Sequence, residues 1–178
     1  EMNSYKGSTS LNFRKKLSQE AFNETAYYDA NISKYFNKII DNRYPNKITF
    51  NGTLLNKLRY GENPHQSGKF VGNLNDVFEK LNGKNLSYNN LLDIDSAVNI
   101  ILEFWNEPPT FAILKHNNAC GLATRNNIFD AYRLALEGDP ISAFGGVLIS
   151  NSNIDIKTSK LISGLFFEVI IAPTYDMD

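Results

Sequence analysis

The feature that most constrains this chain is the alternation of short apolar runs with helix-period segments over residues 93–172. Phe111–Leu114, Val147–Ile149 and Phe167–Ala172 have the length and character of buried strands. Between them the apolar spacing becomes helical. One helix is expected from about Asp93, with Ala97, Ile100, Ile101 and Phe104 apolar, and Pro108-Pro109 stops it. A second runs from about Asn127 to Glu137 and ends at Gly138, and a third lies near Ile156–Ile162. Alternation of this kind predicts an α/β domain with layers of helix against a sheet.

The segment before it is different. Thr9 and Ser10 are good helix caps, and Leu11, Leu17, Ala21 and Phe22 fall near one face. Tyr28, Ile32, Tyr35, Phe36 and Ile39 continue the helical period, and residues 41–46 break it. Residues 1–42 therefore read as one or two amphipathic helices placed before a main domain over 43–178. Within that domain, Ile48–Phe50 and Lys57–Tyr60 look strand-like. Leu74–Leu81 looks like a short helix with Gly83 near its C-terminal end.

Strand Phe111–Leu114 ends abruptly in Lys115-His116-Asn117-Asn118, expected to form a loop. In open α/β sheets, ligand sites lie beyond the carboxyl ends of strands, so an ammonium and an imidazole placed there suggest chemistry. Adjacent side chains on an extended strand point to opposite faces, so the two converge only if the strand has already ended. Cys120, four residues from His116, reads as a small, buried, inert cysteine.

Composition removes several classes. A net charge of −1 does not favour nucleic acid as the main partner. No apolar run approaches the ~20 residues of a membrane span. A zinc deaminase needs His-x-Glu and Pro-Cys-x-x-Cys elements. Neither is present, and no phosphate-cradling P-loop occurs. The single cysteine fits a reducing cytoplasm. Met2 follows Glu1, and the chain stops just after the apolar run Val169–Ala172, so a piece of a longer protein is expected.

Four further stretches carry recognition-type residues in a fixed order: Leu58-Arg-Tyr-Gly-Glu-Asn-Pro-His-Gln66, Leu86-Ser-Tyr-Asn-Asn-Leu-Leu-Asp-Ile-Asp-Ser-Ala97, Thr110 to Gly121 with its Lys-His pair, and Asp139-Pro-Ile-Ser-Ala-Phe-Gly-Gly146. Together they resemble the formyltransferase domain of the bifunctional purine-synthesis family, in which AICAR formyltransferase is fused to IMP cyclohydrolase. The resemblance runs from about Ser10 to the C-terminus.

The resemblance implies a layered α/β/α, cytidine-deaminase-like fold, zinc-free in this chain and preceded by linker helices. Residues 1–42 would be the helical end of the cyclohydrolase domain, and 43–178 the first, incomplete subdomain of the transferase. It implies transfer of a formyl group from the co-substrate 10-formyltetrahydrofolate to the 5-amino group of AICAR, and a homodimer. The intact protein would also cyclise the product to IMP with a domain absent here. His116 would be the catalytic base and Lys115 the transition-state stabiliser.

Arg59 and Tyr60 would hold the nucleotide, the guanidinium matching phosphate oxygens as a fork and the phenol offering a hydroxyl and a stacking face. Asn90 would bond a carboxamide, backbone at Gly145 would approach the substrate, and Glu168 would contact the nucleotide. His65 either orients its loop or touches ligand. The sequence leaves open a monovalent-cation requirement. The alternatives are a non-catalytic dimerisation or scaffold piece of the same protein, or another nucleotide-modifying enzyme on this fold.

Overall fold

The computed structural model describes residues 1–176, the side chains of residues 55 and 56 excepted. In chain order the elements are α1 (Leu11–Ile39), β1 (Leu54–Lys57), β2 (Lys69–Val71), a single 3-10 turn (Leu74–Asp76), α2 (Tyr88–Glu103), β3 (Thr110–Lys115), β4 (Asn118–Thr124), α3 (Ile128–Gly138), β5 (Gly146–Ser150), α4 (Ile156–Ile162) and β6 (Phe167–Ile171). They fall into two compact units: residues 1–56 with 71–78, and residues 57–70 with 79–178.

The first unit is dominated by α1. Ser10 caps it by accepting from the Phe13 N–H at 3.2 Å, which satisfies one of the free donors of the first turn. Of the one or two helices expected here, the chain forms one, continuous over 29 residues. No proline or glycine interrupts Leu11–Ile39, so nothing forces a break. Asn51 ties the following loop back to the helix, donating to Asn31 Oδ1 at 2.9 Å. Ile48–Phe50 forms no strand. Phe50 is 96% exposed, so no pleated surface is buried there. Leu74–Leu81 winds only once, because it has no buried face to stabilise a longer helix.

The second unit holds a four-stranded sheet in the order β4-β3-β5-β6. β3 runs antiparallel to both β4 and β5, while β5 and β6 are parallel. Phe111 and Ile113 join α3 residues Ile128, Ala131, Tyr132 and Ala135 in one buried cluster. Ala112 and Leu114, also fully buried, alternate to the other face. There α2 packs on β3 and β5 through Ile94, Ala97 and Ile101. Helices thus cover both faces, giving the expected α/β/α layering. Gly121 permits the closest approach, since a Cβ there would overlap the Ala135 carbonyl of α3.

Three element expectations are corrected here. α2 starts at Tyr88 rather than near Asp93, because Ser87 and Asn90 form a capping box one turn earlier. The residues after β3 are not a loop leading to a helix. β4 folds straight back on β3, with Lys115 paired to Asn118. Lys57–Tyr60 is likewise shifted: the strand is Leu54–Lys57, and Leu58 follows it with a single bond to the Gly68 carbonyl.

Candidate functional site

The mixed sheet changes where a site can lie. Because β3 is antiparallel to β5, its carboxyl end sits beside the amino ends of β5 and β6, with Leu114 opposite Val147 and Gly146 opposite Phe167. One end of the sheet therefore collects Lys115, Gly145-Gly146 and Glu168. These belong to three strands separated by tens of residues in sequence. A rule for parallel strands predicts a site there for a reason that does not apply to this sheet.

At that end β3 and β4 are joined by a two-residue turn, His116-Asn117, with φ of +50° and +62°. Both central residues of a type I′ hairpin turn need positive φ, which fits the right-handed twist of the strands. Asparagine tolerates that region, but histidine adopts it at a cost. β3 has ended before His116, as convergence of the pair requires, and the imidazole is exposed.

Lys115 is half-buried, and its Nζ donates to the Phe144 carbonyl at 2.6 Å. An ammonium has three donors, so others remain for a ligand oxygen. The Phe144 carbonyl is set by its own loop. Asp139 accepts from the Ser142 N–H at 2.9 Å, and Gly145 donates to the Phe166 carbonyl at 2.8 Å. Gly145 has φ of +73°, a conformation that glycine adopts without penalty. Its N–H is thereby engaged within the protein. What Gly145 presents to a ligand is close backbone rather than a free donor. Phe144 and Phe166 lie exposed beside it, ring centroids 5.2 Å apart.

Arg59 reaches the same end of the sheet. Its guanidinium lies 5.0 Å from the Tyr60 ring centroid, 3.3 Å from the Tyr60 hydroxyl, and 4.0 Å from a Glu168 carboxylate oxygen. The main chain holds it there, Arg59 N–H donating to Leu86 O and Tyr88 N–H to Tyr60 O. Glu168 is an exposed residue of the outermost strand β6.

Asn90 is buried, and its Oδ1 is consumed by the capping box, accepting from Ser87 N–H at 3.0 Å and Ser87 Oγ at 2.9 Å. Only its Nδ2 remains to meet a ligand, so it acts as a donor rather than the donor-acceptor pair expected of a free amide. His65 lies exposed at the tip of the Gly61–Gln66 turn. That turn is closed by Gln66, whose Oε1 accepts from Asn63 N–H at 2.8 Å, and by Asn89 Nδ2 donating to Glu62 O at 3.1 Å. The loop is ordered without the His65 side chain.

Burial raises the pKa of the Cys120 thiol above 9.0, Asp139 and Asp93 add to the effect, and Lys115 opposes it. Among the described residues, no three His, Cys, Asp or Glu side chains gather as a metal site would require.

Two residues at this end escaped sequence reasoning. Asp93, expected only to start a helix, accepts from the Asn117 N–H at 2.8 Å. Asn117 in turn reaches α2 with its side chain. The clue available in the sequence was an asparagine two residues past a strand, a residue type that favours positive φ.

In general outline the second unit is a layered α/β domain with an ammonium, an imidazole and a guanidinium at one end of its sheet. The chain belongs to the AICARFT/IMPCHase bienzyme family, whose model matches residues 1–178. It is 51% identical over 170 residues to the bifunctional purine biosynthesis protein PurH of Bacteroides thetaiotaomicron, covering 96% of this chain and 32% of that protein. It is 46% identical over 185 residues to PurH of Parvibaculum lavamentivorans, covering 97% and 33%. For PurH of Aquifex aeolicus the figures are 43% over 177 residues, 96% and 35%. The chain thus spans about a third of the length of the curated relatives it matches.

Proposed function

We propose that this chain is the part of a bifunctional purine-biosynthesis enzyme that begins the AICAR formyltransferase domain at about residue 43, with residues 1–42 coming from the end of the cyclohydrolase domain. The full-length protein moves the formyl group of 10-formyltetrahydrofolate to the 5-amino group of AICAR, then closes the product to IMP with its other domain. We further propose that it works as a homodimer in the cytoplasm.

The observation that carries this reading is the convergence of Lys115, Gly145, Glu168 and Arg59 at one end of the sheet, with His116 on the adjoining turn. Each step has a suitable group there. The amine nitrogen attacks the formyl carbon, forming a C–N bond and a tetrahedral oxyanion. His116 accepts the amine proton, the role an imidazole ring nitrogen suits as a general base. Lys115, anchored on Phe144 O, stabilises the oxyanion with its remaining N–H groups. The bond to the folate nitrogen then breaks, and that nitrogen takes up the proton. Arg59, backed by Tyr60, grips the nucleotide phosphate, and Asn90 donates to the carboxamide oxygen.

Formyl transfer by the full-length protein, measured with and without His116→Ala, tests this. The variant should lose about two orders of magnitude or more in kcat. Turnover within about threefold of the unaltered enzyme would remove His116 as the base.

A further inference from the structure

We infer that Asp93 and Asn117 are positioning residues for His116, acting from helix α2 on the hairpin that carries it; the inference rests on the functional reading above. His116 and Asn117 are both at positive φ, and neither is glycine. Such a turn persists only where its surroundings over-determine it. Here one turn of α2 does so. The Asp93 carboxylate accepts from the Asn117 N–H at 2.8 Å. The Asn117 amide, oriented with its nitrogen toward the helix, donates to Leu92 O at 3.0 Å, Asp93 Oδ1 at 3.3 Å and Ser96 Oγ at 3.2 Å.

Leu92, Asp93 and Ser96 lie within one turn of a helix, so they grip as a unit. On the other side, Asn118 Nδ2 donates to the His116 carbonyl at 3.0 Å. The peptide that follows His116 is therefore held at both ends, its N–H by α2 and its carbonyl by Asn118 at the start of β4. The ring hangs from a fixed Cα. Lys115, the preceding residue, is fixed independently on Phe144 O. The separation of the two groups is thus set by α2 on one side and by the Asp139–Gly146 loop on the other.

Neither Asp93 nor Asn117 is offered as a group that touches substrate. Their effect should run through His116 alone, which a double-mutant cycle reads directly. In the full-length protein, Asp93→Ala should lower kcat about tenfold to a hundredfold, with KM for AICAR within about twofold. Asp93→Asn should recover most of the loss, because an amide oxygen accepts the same bond. In a His116→Ala background, Asp93→Ala should change residual turnover by less than about twofold.

An equal loss in both backgrounds, or unchanged kcat for Asp93→Ala beside an inactive His116→Ala, overturns the positioning role and leaves the functional reading intact. An active His116→Ala overturns the functional reading, and the catalytic role of the clamp with it. Amide hydrogen exchange at Asn117 separates a failed clamp from a failed fold. Exchange should quicken at residues 116–118 alone in Asp93→Ala; no change there, or faster exchange throughout the unit, counts against a local clamp.

Discussion

The Lys115 ammonium sits 2.6 Å from the Phe144 carbonyl oxygen, bridging the carboxyl end of β3 to the loop that enters β5. The charge is therefore held in place by the protein itself, which on the proposed function leaves little reorganisation for the reaction. Lys115→Met in the full-length protein should lower kcat for formyl transfer by about two to three orders of magnitude. Lys115→Arg should not restore it, because a planar fork cannot place a point charge at the same spot. Steady-state kinetics of the three proteins checks this.

Gly145 decides where that carbonyl points. At φ of +73° an alanine is conformationally strained, yet its Cβ would meet nothing closer than the Phe166 ring at 3.7 Å. Gly145→Ala should then cost only the conformational penalty, about 1–2 kcal/mol. Gly121→Ala faces the Ala135 backbone instead and should cost more, because overpacking adds displaced structure. Urea denaturation of the two variants should rank them in that order.

Arg59 and Glu168, 4.0 Å apart and both partly exposed, form a pair that contributes little to stability. A phosphate that displaced the carboxylate would gain a charge-assisted bond to arginine. Arg59→Ala should weaken AICAR binding to the full-length protein by about tenfold to a hundredfold, as expected for loss of one hydrogen bond to a charged group. Calorimetric titration reads it directly. Glu168→Gln should leave the unfolding midpoint nearly unchanged.

Asp139 gives the fold an acid-sensitive point beside the site. The Ser142 hydroxyl and then the Ser142 N–H hold its carboxyl below the ordinary 3.8. A depressed carboxylate pKa means that the unfolded chain binds protons first. The stabilisation is complete above about 3.8 and is lost as pH falls through the lower folded value. Asp139→Asn lacks the titrating carboxylate, so it should be less stable than the parent at pH ~7, and the gap should close as pH falls toward ~2.5. Urea midpoints across that range check the sign.

Much of the scaffold was legible in the sequence, because local chemistry fixed it. Ser10 starts α1, Ile156–Ile162 is α4, and the three apolar runs are β3, β5 and β6. The start of α2 was missed for a local reason, the Ser87–Asn90 capping box, while most other failures depend on a distant partner. β4 has no strand-like alternation of its own. Asn118 to Thr124 is a strand because β3 lies beside it and α3 covers it. Leu74–Leu81 has helix-forming residues but nothing to pack against. At the site, Lys115, His116, Arg59 and Glu168 were visible as residue types. Sequence does not reveal that Asp93 bonds a backbone N–H twenty-four residues away, nor that a capping box consumes the Asn90 carbonyl.

β6 ends the sheet, so among the described residues its outer row of N–H and C=O groups has no ladder partner. Its sequence, Phe167-Glu-Val-Ile-Ile171, is β-prone, with a single charge at Glu168. An open, apolar edge of this kind can template a strand from another molecule. Glu168 is the single charge in β6, and neutralising it should leave this chain folded but more prone to associate as its concentration rises.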